Sequence, residues 1–336
     1  MPERRSLIPA ATLPLAYFTA AHVSFAAACA ALALDPGTLV PGPGPRLPAL
    51  VHLLTLGWVS GSILGALYIV APLALGIPLR PGARDRAASW TFVCSTAIAI
   101  VGFWAGRPPA LGLGALGVLG AIGVVGGRTL AGLHRAPIPP AVKLHIALAF
   151  ANIALTGALG LAMVVDATGA RVWSTSVRWS LAHAHLGILG WATMMIFGVG
   201  YRLVPMVLPA AMPSGPSLAI SAVLLEVGAV GLGVALALDA DIRAWALLVL
   251  AAFCAFFAHV ASMLRARRPP PAELPRPDWS TRQTLLALAC GLLAAVLGML
   301  LAQGRATAPL ALTYGIMGLV GFVAQLVVGI QGRLVP

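Results

Sequence analysis

The chain has 336 residues, of which 60% are hydrophobic and 9% charged. Soluble domains carry roughly 25% charged residues, so this composition excludes a water-soluble globular protein and specifies an integral membrane protein in a lipid bilayer. The net charge of +12 therefore says little about nucleic acid, for which no role is expected, and its arginines are read as setting orientation in the membrane.

A membrane span needs about 20 mainly apolar residues. Ten such stretches occur in chain order: 14–34, 48–76, 87–106, 109–132, 141–166, 179–208, 216–238, 242–265, 281–303 and 308–333. The expected fold is all-α, a polytopic protein with one transmembrane domain over residues 1–336. The Pro/Gly-rich pieces Pro41–Pro45, Arg107–Pro109 and Arg267–Pro271 read as connections. Residues 1–33 imitate a cleaved signal peptide, with Arg4-Arg5, an apolar run and Ala31-Leu-Ala33. That run is long for a signal sequence, which favours a retained first span. His22 lies midway along it.

Span 2 carries His52-Leu-Leu-Thr-Leu-Gly57-Trp58, continuing to Tyr68 and Pro72, and span 6 repeats the pattern as His185-Leu-Gly-Ile-Leu-Gly190-Trp191, continuing to Tyr201 and Pro205. Counted from each histidine, glycines fall at +5 and +13, tryptophan at +6, tyrosine at +16 and proline at +20. Span 10 keeps the spacing with Gly321, Phe322, Gly329 and Pro336, but Ile316 stands at the histidine position. The repeat equivalents are 48–76, 179–208 and 308–336. Gly57, Gly61, Gly65, Gly187, Gly190 and Gly198 suit either close helix approach or room for a flat macrocycle.

The side holding the N-terminus and the loops after even-numbered spans has 15 of the 21 Lys and Arg residues. The positive-inside rule then places both termini in the cytoplasm of a bacterial-type inner membrane. Spans 2, 6 and 10 run outside to inside, so His52, His183 and His185 share the outer leaflet, with His22 within reach of that level. In a regular helix, residues two apart differ by about 200° around the axis. His183 and His185 are thus poorly placed to bind one ion together, and suit two centres or one ligand and one hydrogen-bonding role. His145 and His259 lie near the opposite membrane surface, where single histidines commonly bond between helices.

Glu226 is the carboxylate deepest in a span. It reads as a structural pair with a neighbouring arginine or histidine, or as a proton site. Asn152 and Gln325 are further polar interior candidates. The four cysteines lie alone in separate spans, with no C-x-x-C, and signal neither a thiolate metal site nor covalent haem attachment. Met194 and Met195 suit Cu(I) but equally serve as filler.

Ten spans with outer-leaflet histidines on the equivalent spans 2 and 6 resemble the large subunit of haem-copper oxidases and nitric oxide reductases. That family has a ring of twelve helices in three-fold pseudo-symmetry, and its haems and copper are held by histidines on helices 2, 6, 7 and 10. The resemblance makes His52 the counterpart of a low-spin haem ligand and His183 or His185 that of a copper ligand. The chain departs from the family in three ways: Tyr314 and Ile316 replace the paired histidines of helix 10, helix 7 lacks its histidines, and the last two helices are missing. A complete oxygen-reducing centre cannot be assembled in the family's manner, so an enzyme, if it is one, would be an oxidoreductase of reduced kind.

The leading expectation is a haem-binding membrane protein of this superfamily, active in electron transfer or diatomic-gas (O2/NO) chemistry. His52 with His183 or His185 would ligate b-type haem between spans 2 and 6, with His22 in reserve. A minimal O2 or NO reductase, with haem and a copper or iron at the H-x-H, is the first alternative; a copper- or haem-handling assembly factor is the second. A redox partner or second membrane subunit is the expected protein partner.

Overall fold

The computed structural model describes residues 12–39, 46–170, 177–207, 209–269, 278–305 and 307–334. Arg4, Arg5, Arg171, Arg276, Pro336 and the Pro41–Pro45 connection lie outside the described residues. Among the described residues, ten helices are long and apolar enough to cross a membrane: α1 (Thr12–Leu34), α2 (Arg46–Ala74), α3 (Ala83–Trp104), α4 (Pro108–Leu133), α5 (Pro140–Gly169), α6 (Val177–Met206), α7 (Ser217–Leu238), α8 (Arg243–Arg265), α9 (Trp279–Ala302) and α10 (Ala308–Leu334). They coincide with the ten apolar stretches, and no strand occurs among the described residues. The protein is thus an all-helical, multi-pass membrane protein. Arg107-Pro-Pro109 marks a helix start: Pro108 and Pro109 open α4, where a missing N–H costs nothing and the fixed φ is already helical.

The chain forms two compact units. The first comprises residues 1–137 and 160–173, and the second 138–159 and 174–336. The first therefore holds α1–α4 with the end of α5; the second holds the start of α5 with α6–α10.

All three repeats change helix type at the same place. α2 is π-helical over Leu53–Ser60, α6 over Leu186–Thr193 and α10 over Ile316–Ala324. His52 and His185 are the residues immediately before their π stretches. The widening has a geometric consequence. Eight residues of α-helix overshoot a whole number of turns by about 80°, so the +5 and +13 glycines would diverge. The wider i→i+5 turns absorb part of that excess, and both glycines of each copy face the preceding helix.

In the first unit, a Cβ on Gly57 would lie 2.5 Å from Ser24 Oγ and one on Gly65 2.8 Å from Tyr17 Cβ, both on α1. In the second, Cβ atoms on Gly190 and Gly198 would meet Asn152 Cγ at 2.7 Å and His145 Cβ at 2.6 Å, both on α5. In the third copy, Cβ atoms on Gly321 and Gly329 would meet Cys290 Cβ at 3.0 Å and Thr284 Oγ1 at 2.8 Å, both on α9. These glycines admit a neighbouring helix and leave no room for a macrocycle. The +6 aromatics seal the same seams: Trp58 lies 4.2 Å from Phe25 and Trp191 5.4 Å from Phe150, centroid to centroid. Near the far ends, Pro72 and Pro205 lie inside the last turns of α2 and α6. Lacking an N–H, they cannot bond the carbonyls of Tyr68 and Tyr201, four residues back.

Candidate functional site

A histidine that takes a metal through one ring nitrogen usually gives its other N–H to an acceptor that fixes its tautomer. Backbone carbonyls only accept, so a ring nitrogen bonded to one must carry the proton. In the first unit, His52 donates Nδ1–H to Pro48 O at 2.7 Å, which leaves Nε2 as its basic nitrogen. Its half-buried ring lies against Phe103, with centroids 4.6 Å apart. His22, exposed on α1, makes the same bond to Phe18 O at 2.7 Å.

In the second unit, His185 donates Nδ1–H to Leu181 O at 2.7 Å, matching His52. Its Nε2 accepts the hydroxyl of Tyr314 on α10 at 3.1 Å. His183 instead directs Nδ1–H to Thr156 O on α5 at 3.0 Å. The two rings of His183-Ala-His185 thus serve different neighbouring helices, as a separation of about 200° requires. Tyr314, which occupies in α10 the place of His183, is a partner of His185 that the sequence pattern did not suggest.

Glu226 accepts from Asn152 Nδ2 at 2.6 Å. Among the described residues its hydrogen-bond partner is thus the Asn152 amide of α5, where an arginine or histidine was expected. Gln325 accepts from Gln283 Nε2 at 2.8 Å, tying α10 to α9. Met194 and Met195 are buried, 0% and 3% exposed. No group of three or more His, Cys, Asp or Glu side chains suited to a metal ion occurs among the described residues.

No family model and no curated protein matches the chain. The assignment of chemistry therefore rests on the geometry of its own residues.

Two polar clusters at the +16 tyrosines were not legible from sequence. In the first unit, buried Tyr68 donates to Asp85 Oδ1 at 2.7 Å. Asp85 is 1% exposed, takes Gly82 N–H at 2.7 Å and pairs with Arg128. In the second, the Tyr201 hydroxyl contacts Ser221 Oγ and His259 Nδ1, both at 2.9 Å. Ser221 Oγ lies 3.2 Å from His145 Nε2, and His259 Nε2 lies 3.1 Å from Ser217 Oγ. His145 fixes its Nδ1–H on Ala141 O at 2.8 Å. The repeated tyrosine and an arginine inside the apolar run before Leu133 were the available signals.

The clusters occupy corresponding positions. Tyr17 and His145 each back the +13 glycine; Asp85 and Ser217 each lie in the first turn of the next helix. Arg128 and His259 each lie near the end of the fourth.

Proposed function

We propose that the chain is a haem-binding membrane protein of the oxidase subunit I-like kind, acting in electron transfer or diatomic-gas chemistry. One observation carries this reading. His52 and His185 stand at the same point of a duplicated helix pair, each at the entry to a π-helical stretch of the kind often found at functional sites. Both fix Nδ1–H on the carbonyl four residues back. Such a neutral, pre-oriented imidazole fits the axial demand of a b-type haem.

His52 fits without rearrangement of its tautomer. His185 fits once the Tyr314 hydroxyl turns away from Nε2, and His183 is the alternative donor of that helix. The haem supplies the redox or gas-binding chemistry; the protein supplies ligation, a fixed tautomer and apolar surroundings that tune potential. Because the H-x-H rings diverge, a single copper or iron held by both is the weaker reading, and a minimal reductase ranks second. Both termini would face the cytoplasm of a bacterial-type inner membrane, with a redox partner or second membrane subunit exchanging electrons.

The test is a reduced-minus-oxidised spectrum of protein purified from haem-replete cells. Sharp low-spin bands are expected, lost in His52→Ala and weakened at least severalfold in His185→Ala, while His22→Ala keeps them. Unchanged haem content in both of the first two variants overturns the ligand assignment. A shift on adding carbon monoxide would identify an open iron site; colourless protein carrying copper would favour cargo handling instead.

A further inference from the structure

The second unit contains a continuous line of groups that can each give and take a proton. It runs from half-buried His259 on α8 through Tyr201 on α6 and Ser221 on α7 to His145 on α5, which is 0% exposed. We propose that this line is a reversible proton relay that connects buried His145 to the end of α8. The inference does not depend on the haem reading.

Donor and acceptor accounting supports reversal. The Nδ1–H of His145 is committed to Ala141 O, so only its Nε2 faces Ser221. In one state His259 carries the extra proton: its Nδ1–H points to Tyr201, Tyr201 donates to Ser221 and Ser221 donates to His145 Nε2. Transfer moves three protons by one bond each. His259 Nδ1–H passes to the Tyr201 oxygen, the Tyr201 proton to Ser221 and the Ser221 proton to His145. One proton leaves the first imidazole and one arrives at the second, with every hydrogen bond kept and its direction reversed. Ser221 has a further acceptor in Leu218 O at 2.9 Å. Its hydroxyl can turn there between transfers, and Ser217 Oγ holds the other nitrogen of His259 in either state.

The first unit shows what a purely structural solution looks like at the same positions. There an arginine and a carboxylate hold fixed charges, and Arg128 donates to Asp85 and to Arg80 O in one direction only. The second unit has exchanged them for His259 and Ser217, and its first-helix position for His145. Further along α5 and α7 stands the Asn152–Glu226 pair. Seven residues of helix separate His145 from Asn152, about 10 Å of rise, so the relay described here ends at His145.

The experiment measures how fast His145 Nε2, the ring nitrogen that faces Ser221, exchanges between its bare and protonated forms, by nuclear magnetic resonance on protein with nitrogen-labelled histidine in lipid nanodiscs. His145→Gln assigns the signal. Tyr201→Phe and Ser221→Ala each break the line while keeping bulk, and exchange is expected to slow at least tenfold in both. Ser221→Thr, which restores a hydroxyl, is expected to return it to within about threefold of the parent. A merely structural cluster gives the opposite sign, because loosened packing admits water and speeds exchange. Unchanged or faster exchange in either broken variant, or no recovery with threonine, overturns the relay.

Discussion

The helix pairs α1–α2 and α5–α6 share one scaffold and close it differently. Both press +5 and +13 glycines against the preceding helix, both seal the seam with a +6 tryptophan, and both enter a π-helical stretch just after a histidine. At the +16 tyrosine they part: Tyr68 meets a buried ion pair, whereas Tyr201 meets two histidines and a serine. The packing grammar is therefore separable from the chemistry placed on it. Glycine positions recur in all three copies because backbone approach tolerates no side chain, while the polar positions vary because several closed hydrogen-bond sets satisfy the same space.

The largest expected effect breaks the ionic closure. Arg128→Leu leaves Asp85 buried and without its cation, which for a fully buried pair costs about 3–5 kcal/mol. Arg128 is itself 35% exposed, so water remains available to the site and a loss of about 2–3 kcal/mol is expected. His259→Leu, at the corresponding place, removes hydrogen bonds between neutral groups and is expected to cost about 1 kcal/mol. Unfolding of each variant in graded denaturing detergent checks the pair. Equal losses would show that the two closures do not differ energetically.

Next come the shared glycines. Gly57→Ala and Gly198→Ala place a methyl 2.5 Å from Ser24 Oγ and 2.6 Å from His145 Cβ. Overpacking of this kind costs about 1–3 kcal/mol. Gly187→Ala meets only Thr156 Cγ2 at 3.5 Å, an ordinary contact, and should unfold within about 0.5 kcal/mol of the parent. Similar destabilisation at all three positions would refute the assignment of the +5 and +13 glycines as the close-approach points.

A smaller effect concerns Tyr314. Tyr314→Phe removes one hydrogen bond to His185, worth about 0.6–1 kcal/mol within a membrane. It also releases Nε2, so under the haem-binding proposal haem retention is expected to hold or rise, whereas His185→Ala would lower it. Loss of haem in Tyr314→Phe would place the hydroxyl in the site and not in competition with it.

Helix number and extent were legible because apolar length is a strong, local signal, and the repeat was legible because Gly, Trp and Pro recur at fixed spacing. The divergence of His183 and His185 followed from helix geometry alone. The partners were not legible. Nothing local in Glu226 points to Asn152, nor in His185 to Tyr314; each pairing depends on which helix the glycines admit and at what height. Asp85 stands among Arg80, Arg84 and Arg86, a setting that reads in sequence as a solvated end. The π stretches likewise carry no sequence mark beyond the glycine spacing they reconcile.

The third copy supplies the mildest test of the same comparison. α10 lacks both the histidine and the +16 tyrosine, and its far end is held by Arg333, which pairs with Asp278 at the start of α9. Partial burial alone would raise the Asp278 carboxyl. The Thr281 hydroxyl and N–H, together with the Arg333 guanidinium, outweigh it and hold the carboxyl below its ordinary range. A depressed folded value means the unfolded chain binds the proton more readily. The clasp therefore contributes its full stability above the ordinary carboxyl value of about 3.9 and loses it as pH falls through the lower folded value. With side chains 25% and 31% exposed, screening limits it to about 0.5–1 kcal/mol. Asp278→Asn should remove that increment near neutrality and flatten the acid limb of stability below the ordinary carboxyl value of about 3.9. An acid limb as steep as the parent's would mean that this copy is closed by its glycine seam alone.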